Sequence, residues 1–322
     1  MRKKIIIGVV ALLVIAVSIF TYRAIFGARQ FVVDSSAQGE KISEYAHPES
    51  LITPYQLKDL MDRGQEVVVI GALNPVKGDA PIEGSFTVWR PDYSADEEDY
   101  GYEGMRETNE AMETMLSNFG ASQGSTIVVY AANSHHDAAR LWWQIKLLGH
   151  EDVRYLDGGL NAWLGAKYPT GNANPVVEAT AYKGANPLDE SVATIEDVLE
   201  ALRYGSVIDT RSADEVTGTS TKSGALGPGK IDGSLHINWT SSVAEDTTLL
   251  SRPELEAIYG TIEDKLVVTY CQSGVRSAHT MFVLSQVLGY ENVKNYDGSW
   301  IEWAYEYYEN KNTSLPTTNV EK

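Results

Sequence analysis

Cys271 is the only cysteine among the 322 residues. A lone thiol is either an inert buried side chain or a reactive one, and its surroundings decide which. It directly follows Leu266-Val267-Val268-Thr269-Tyr270, an apolar, β-branched run with the length of a buried strand. From Ser277 to Leu288, the residues Ala278, Met281, Phe282, Leu284, Val287 and Leu288 recur at the spacing of a helix packed on a sheet. Cys271 therefore opens a strand-to-helix loop, Cys271-Gln272-Ser273-Gly274-Val275-Arg276-Ser277. Gly274 lets the backbone curve tightly, so that successive N–H groups converge on one point as an anion-binding nest. A cysteine in that nest gains a lowered pKa from the N–H dipoles and from the guanidinium of Arg276. Ser273 and Ser277 add hydroxyl donors, and Arg276 offers planar, bidentate recognition of an oxyanion. The chemistry implied is nucleophilic attack by a thiolate on an anionic substrate.

The elements that must hold this loop occur twice. Ile127-Val128-Val129-Tyr130 matches Val267-Val268-Thr269-Tyr270, and Leu148-Gly149-His150-Glu151-Asp152-Val153 matches Leu288-Gly289-Tyr290-Glu291-Asn292-Val293. Asp157-Gly158-Gly159 then meets Asp297-Gly298-Ser299, and Trp163 meets Trp303, all at one offset of 140 residues. Ile82-Glu83-Gly84-Ser85 resembles Ile231-Asp232-Gly233-Ser234 at a slightly different offset. Thr194 is placed to cap a helix running to Tyr204 through Ile195, Val198, Leu199 and Leu202; Gly205 ends it, and Ser206-Val207-Ile208 reads as a strand. Strands alternating with helices predict, for each copy, a mostly parallel sheet with helices on both faces. The first copy lacks the nucleophile. Ala131 stands at the place of Cys271, His136 at that of Arg276 and Gly71 at that of Asp209. It is expected to serve as scaffold and as one wall of the cleft.

The chain divides into an N-terminal segment 1–26, a linker 27–49, a first domain 50–170, a connection 171–190 and a second domain 191–315. Arg2-Lys3-Lys4 precedes an apolar run from Ile5 to Phe20, the pattern of a signal peptide or an uncleaved anchor. Small residues do not fall at suitable positions for cleavage, so the reading is a membrane anchor with the bulk of the protein outside the cytoplasm. Residues 1–29 hold five basic residues and no acids, within a chain of 26 basic and 44 acidic residues and a formal charge of -18. A body so acidic repels nucleic acid, and nucleic-acid binding is excluded as an expectation. His135-His136 lacks a cysteine partner and reads as polar packing, not a metal site. The acidic run Asp92–Asp99 reads as a solvated loop. Trp142, Trp143, Trp163, Trp300 and Trp303 read as core or interface packing.

The Cys271–Ser277 loop between a strand and a helix resembles the active-site loop of the rhodanese sulfurtransferases. Asp209-Thr210-Arg211 is similar to the Asp-x-Arg of that family, and Asp214–Gly218, Ile231–Ser234 and Asp297–Trp300 fall where its other motifs fall. Lys230 departs from the histidine common before the Ile-x-Gly turn, and Thr219–Gly229 looks like a local insertion. The resemblance covers about residues 50 to 315 as two tandem domains, an inactive first and an active second. It implies thiosulfate sulfurtransferase activity: Cys271 takes a sulfane sulfur from thiosulfate or a similar donor as a persulfide, and cyanide or a thiol accepts it. No metal or organic cofactor is expected. Asp209 and Arg211 are supporting residues, Arg211 as an ion-pair partner or as an aid in positioning donor anions. Mercaptopyruvate sulfurtransferases resemble Ser273-Gly274-Val275 but have an uncharged residue where Arg276 stands. A persulfide carrier without turnover is a further reading. Cysteine phosphatase and arsenate reductase loops place five residues between Cys and Arg, whereas four intervene here.

Overall fold

The structure is a computed structural model that describes residues 36–133, 135–185, 191–263 and 265–318. The expected anchor 1–26 and residues 27–35 of the linker lie outside these described residues. Among the described residues, no helix is long and apolar enough to cross a membrane.

The first copy contains β1 (Leu51–Ile52), α2 (Pro54–Asp62), β2 (Val67–Ala72), β3 (Phe86–Val88), α3 (Glu97–Tyr100), α4 (Asn109–Asn118), β4 (Thr126–Ala131), α5 (His135–Leu147), β5 (Val153–Leu156) and α6 (Gly159–Gly165), preceded by α1 (Ala37–Ser43). The second contains β6 (Val192–Ala193), α7 (Ile195–Tyr204), β7 (Ser206–Asp209), α8 (Ala213–Val216), β8 (Lys230–Ile231), β9 (Leu235–His236), α9 (Arg252–Tyr259), β10 (Val267–Tyr270), α10 (Val275–Phe282), β11 (Val293–Tyr296), α11 (Ser299–Ala304) and β12 (Thr317–Thr318). The five-stranded sheets have orders β1-β5-β4-β2-β3 and β6-β11-β10-β7-β9, and every neighbouring pair within them is parallel. Ile127 pairs with Val153 and Val267 with Val293, so the repeat seen in sequence extends to strand register. β8 and β12 form a separate antiparallel pair.

All six residues of β4 and all four of β10 are buried. Side chains alternate across a strand, so complete burial means that both faces of each central strand are covered. In the second copy one face packs Val268, Tyr270 and Tyr296 with Val198, Ala201, Trp300 and Trp303. Truncating a buried tryptophan of this kind costs about 3–5 kcal/mol. The five tryptophans predicted as packing are all 0–2% exposed. Thr194 caps α7 in a capping box with Asp197, and Gly205 follows its last turn, as the sequence predicts. A Cβ at Gly205 would lie 1.9 Å from the Leu266 carbonyl, so the tight passage into β7 admits only glycine.

The segment expected as a linker is partly ordered packing. Within it α1 is capped by Ser36, and its residues reach both copies. Gln38 donates to Asp157 of the first at 3.0 Å, and Lys41 donates to Thr248 of the second at 2.7 Å. Tyr45 donates to the Leu250 carbonyl at 2.9 Å. The connection after α6 also lies against the first copy, where Asn174 accepts from the Thr87 N–H and Tyr182 bonds buried His150.

Candidate active site

Cys271 leaves the end of β10 with 1% exposure, and α10 begins four residues later. The loop is shaped mainly by the turn after β11. Ser299 accepts the N–H of Cys271 at 3.1 Å and of Gly274 at 2.9 Å, and donates to the Tyr296 carbonyl at 2.6 Å. The first N–H groups of α11, from Trp300 and Ile301, donate to the carbonyls of Cys271 and Gln272 at 3.1 and 3.0 Å. The carbonyls of Cys271 and Gln272 are thereby turned toward α11. Gly274 has φ +70°, and a Cβ there would lie 2.6 Å from the Asp297 carbonyl and 2.7 Å from an Arg140 nitrogen. The glycine predicted to curve the loop is thus required twice, by conformation and by space.

Around the thiol, the Ser277 hydroxyl donates to Sγ at 3.6 Å. Burial alone would push the thiol up. The Arg276 charge, the Ser277 N–H and hydroxyl, and the Ser273 N–H outweigh burial and hold it below its ordinary value. Cys271, Gln272, Ser273, Val275 and Arg276 line a cleft of about 810 Å³. Gly274 and Ser277 are not among the lining residues, and Ser277 acts through its bond to Sγ. Facing walls come from the first copy through Arg90, Asp96, Glu97, Glu103, Gly104 and His136, and from the insertion 219–229 through Lys222 and Ser223.

Several expected roles are redistributed. Arg276 lines the cleft but is already engaged: its two terminal nitrogens donate to Glu215 at 2.6 and 2.8 Å. Burial opposes ionisation of Glu215, but Arg276 and the Ser212 cap hold its pKa at about 2. Arg211 donates to Asp209 at 2.6 and 2.9 Å and to the Gly229 carbonyl at 3.0 Å. It lies between the rings of Tyr270 and Trp300 and is not among the cleft-lining residues. Of its two expected roles, this geometry is that of the ion pair. Asp209 in turn accepts from the Tyr270 hydroxyl at 2.6 Å.

The acidic residues of the run Asp92–Asp99 are exposed, but the run is more than a solvated loop: Tyr93 within it is fully buried, and Asp96 and Glu97 line the cleft. His136 bonds Arg90 through Nε2 at 3.3 Å and packs edge-on against Trp239. Burial, with Arg90 adding, keeps His136 well below the ordinary histidine range and hence neutral. The sequence places Glu215, Asp297 and Ser299 within motifs of the resembled family without giving them a role, and nothing in it singles out Arg140. The repeat carried one usable signal, since Ser299 stands where the nucleophile-free copy has Gly159.

Residues 53–166 and 192–306 each match the Rhodanese-like domain family. The chain belongs to the rhodanese family. Its two copies are tandem rhodanese-like domains, of which the second holds the cysteine. Among curated relatives, the Mycobacterium tuberculosis protein "Putative thiosulfate sulfurtransferase SseA" is 34% identical over 279 residues, spanning 82% of this chain and 90% of that protein. A Haloferax volcanii "Putative thiosulfate sulfurtransferase" is 37% identical over 206 residues, 61% of this chain and 72% of that protein. Solved structures share the fold: Tum1 from Saccharomyces cerevisiae aligns with a TM-score of 0.72 at 20% identity, over 84% of this chain and 99% of its own. YnjE aligns with a TM-score of 0.74 at 23% identity, over 86% of this chain and 70% of its own.

Proposed function

We propose that this rhodanese moves a sulfane sulfur from thiosulfate or a similar donor to cyanide or a thiol through a persulfide on Cys271. The observation that carries the reading is a single buried thiol, held below its ordinary pKa at the head of α10 and lining a cleft built from both domains. The thiolate attacks the outer sulfur of thiosulfate, the S–S bond breaks, and sulfite leaves with the electron pair. The Ser273 and Ser277 N–H groups, already directed at the Cys271 sulfur, stabilise the negative charge of the persulfide. An acceptor nucleophile then attacks that outer sulfur, and Cys271 departs as thiolate. Residues 191–315 act as the catalytic domain, and residues 50–170 supply the opposite wall.

The mass of the purified protein after thiosulfate treatment tests this. One added sulfur is expected, lost on adding cyanide and absent from Cys271→Ala. No gain with thiosulfate, thiosulfonate or mercaptopyruvate would refute it. Gain from mercaptopyruvate alone would make the protein a mercaptopyruvate sulfurtransferase.

The apolar run Ile5–Phe20 behind Arg2-Lys3-Lys4 supports a second element of the proposal, attachment to the membrane with the catalytic domain outside the cytoplasm. Protease added to intact cells should degrade the domain, and release by alkaline carbonate would overturn the anchor.

A further inference from the structure

Arg276 was expected to greet the anionic donor, yet its guanidinium is already engaged. Nη1 and Nη2 both donate to Glu215, an arrangement in which two parallel bonds fix orientation as well as distance. The two side chains are 17% and 2% exposed. Glu215 is itself fixed: the Ser212 N–H and hydroxyl donate to its Oε2 at 3.2 and 2.9 Å, in the capping box of α8. Such a carboxylate has little freedom to swing aside for an incoming ligand. The cation seen from the cleft is therefore one end of a neutral pair. A dianion near Arg276 also meets Glu215 a few ångströms farther on, and the second interaction cancels much of the first.

The remaining charges reinforce this. Arg90, also lining the cleft, donates to buried Asp137 at 2.8 Å. Exposed Asp96, Glu97 and Glu103 line the same cleft as exposed Lys222. Nothing in this distribution favours two negative charges on a ligand over one.

We propose that Glu215 is a specificity-determining residue of the donor step: it withdraws the Arg276 charge from dianionic donors and tilts the cleft toward sulfane donors of lower charge. The inference rests on the persulfide reading above. Arg276 retains its second task, since the ion pair leaves its charge close enough to lower the Cys271 pKa. In each donor reaction the thiolate takes the terminal sulfur and the S–S bond breaks. Thiosulfate then releases sulfite, and methanethiosulfonate, a monoanion, releases methanesulfinate.

Glu215→Gln separates charge from structure, because glutamine also serves in a Ser-x-x-Gln capping box. Persulfide formation on wild type and Glu215→Gln is followed with thiosulfate and with methanethiosulfonate. The variant should lower KM for thiosulfate about tenfold and for methanethiosulfonate about threefold, in proportion to ligand charge, with kcat changed alike for both donors. A structural defect would lower kcat for both and leave the ratio of KM values unmoved. That outcome, or a KM for thiosulfate that rises, would overturn the inference and leave Glu215 as a support for Arg276. Glu215→Ala provides the same comparison if the glutamine variant does not fold. Should the wild type take sulfur from neither donor, the persulfide reading falls and this inference with it; an unmoved ratio in an active wild type removes this inference alone.

Discussion

Arg140, on the helix after the nucleophile-free loop of the first domain, is ion-paired with Asp297, at the end of a strand of the second, and the two side chains are 1% and 2% exposed. The same guanidinium reaches the carbonyls of Gly274 at 3.4 Å and Gly104 at 3.2 Å. Asp297 also accepts the Arg106 N–H at 2.8 Å. One buried arginine thus joins the cysteine loop, the wall opposite and the turn that shapes both. Removing one partner of a buried pair costs about 3–5 kcal/mol because the other charge is left uncompensated. Arg140→Met should lower stability in urea by about this amount and slow persulfide formation. Adding Asp297→Asn should recover part of the stability, and a double variant no better than the single would show that the pair carries little of the effect.

Ser299 does comparable work within the second domain. Its hydroxyl takes the N–H groups of both Cys271 and Gly274, and its own φ is +51°, a backbone region disfavoured for side chains with a Cβ. Ser299→Ala leaves two buried donors without an acceptor, at about 1–3 kcal/mol each. Ser299→Gly relieves the backbone strain but loses the same acceptor. Both variants should form persulfide more slowly than wild type, with the glycine variant the more stable in thermal unfolding. Equal activity to wild type in either would show that the loop holds its shape without this hydroxyl.

The relation of Ser299 to Gly159 explains where sequence reading succeeds and where it stops. Strand–loop–helix order, the repeat and the curvature at Gly274 are local, and periodicity and turn chemistry expose them. The capping of α7 by Thr194 is local in the same sense. Arg140 and Asp297 are 157 residues apart and meet only when the two copies pack. Neither carries a local pattern that names the other. Arg276 shows a different limit: its residue type and spacing suit an anion site, but its partner Glu215 arrives from a separate helix 61 residues earlier. The acidic residues of the run 92–99 are exposed, and only tertiary structure shows that Tyr93 between them is buried and that Asp96 and Glu97 border the cleft.

The Cys271 thiol lies below its ordinary value because Arg276 and the donors of Ser277 and Ser273 overcome burial. Thiolate, and with it the rate of alkylation by iodoacetamide, is therefore lost as pH falls through this depressed folded-state value. The stability that the group contributes follows the same direction: it is fully present above the unfolded thiol value, about 8.5, and disappears as pH falls through the folded one. Ser277→Ala removes the hydroxyl at 3.6 Å from Sγ. The alkylation midpoint should move upward by about half a unit to one unit, equivalent to roughly 1 kcal/mol. A midpoint unchanged by this variant would assign the low pKa to Arg276 and the backbone alone.

The first domain offers a converse experiment. Ala131 ends β4 where Cys271 follows β10, so Ala131→Cys restores the nucleophile to the equivalent place. It does not restore the surroundings. His136 stands for Arg276 and is held neutral, and Gly159 stands for Ser299 and supplies no hydroxyl to gather the loop N–H groups. The equivalent of Asp297 is Asp157, which is occupied by the Leu249 N–H at 2.8 Å, by Gln38 and by Lys41 at 3.6 Å. With His136 neutral where Arg276 is charged, burial prevails and a thiol at position 131, now 1% exposed, should titrate above the ordinary cysteine value. In a Cys271→Ala background, Ala131→Cys should gain no sulfur from thiosulfate and should alkylate more slowly than wild type at neutral pH. Persulfide formation at position 131 would mean that strand, loop and helix suffice, and that the groups around Cys271 refine a site they do not create.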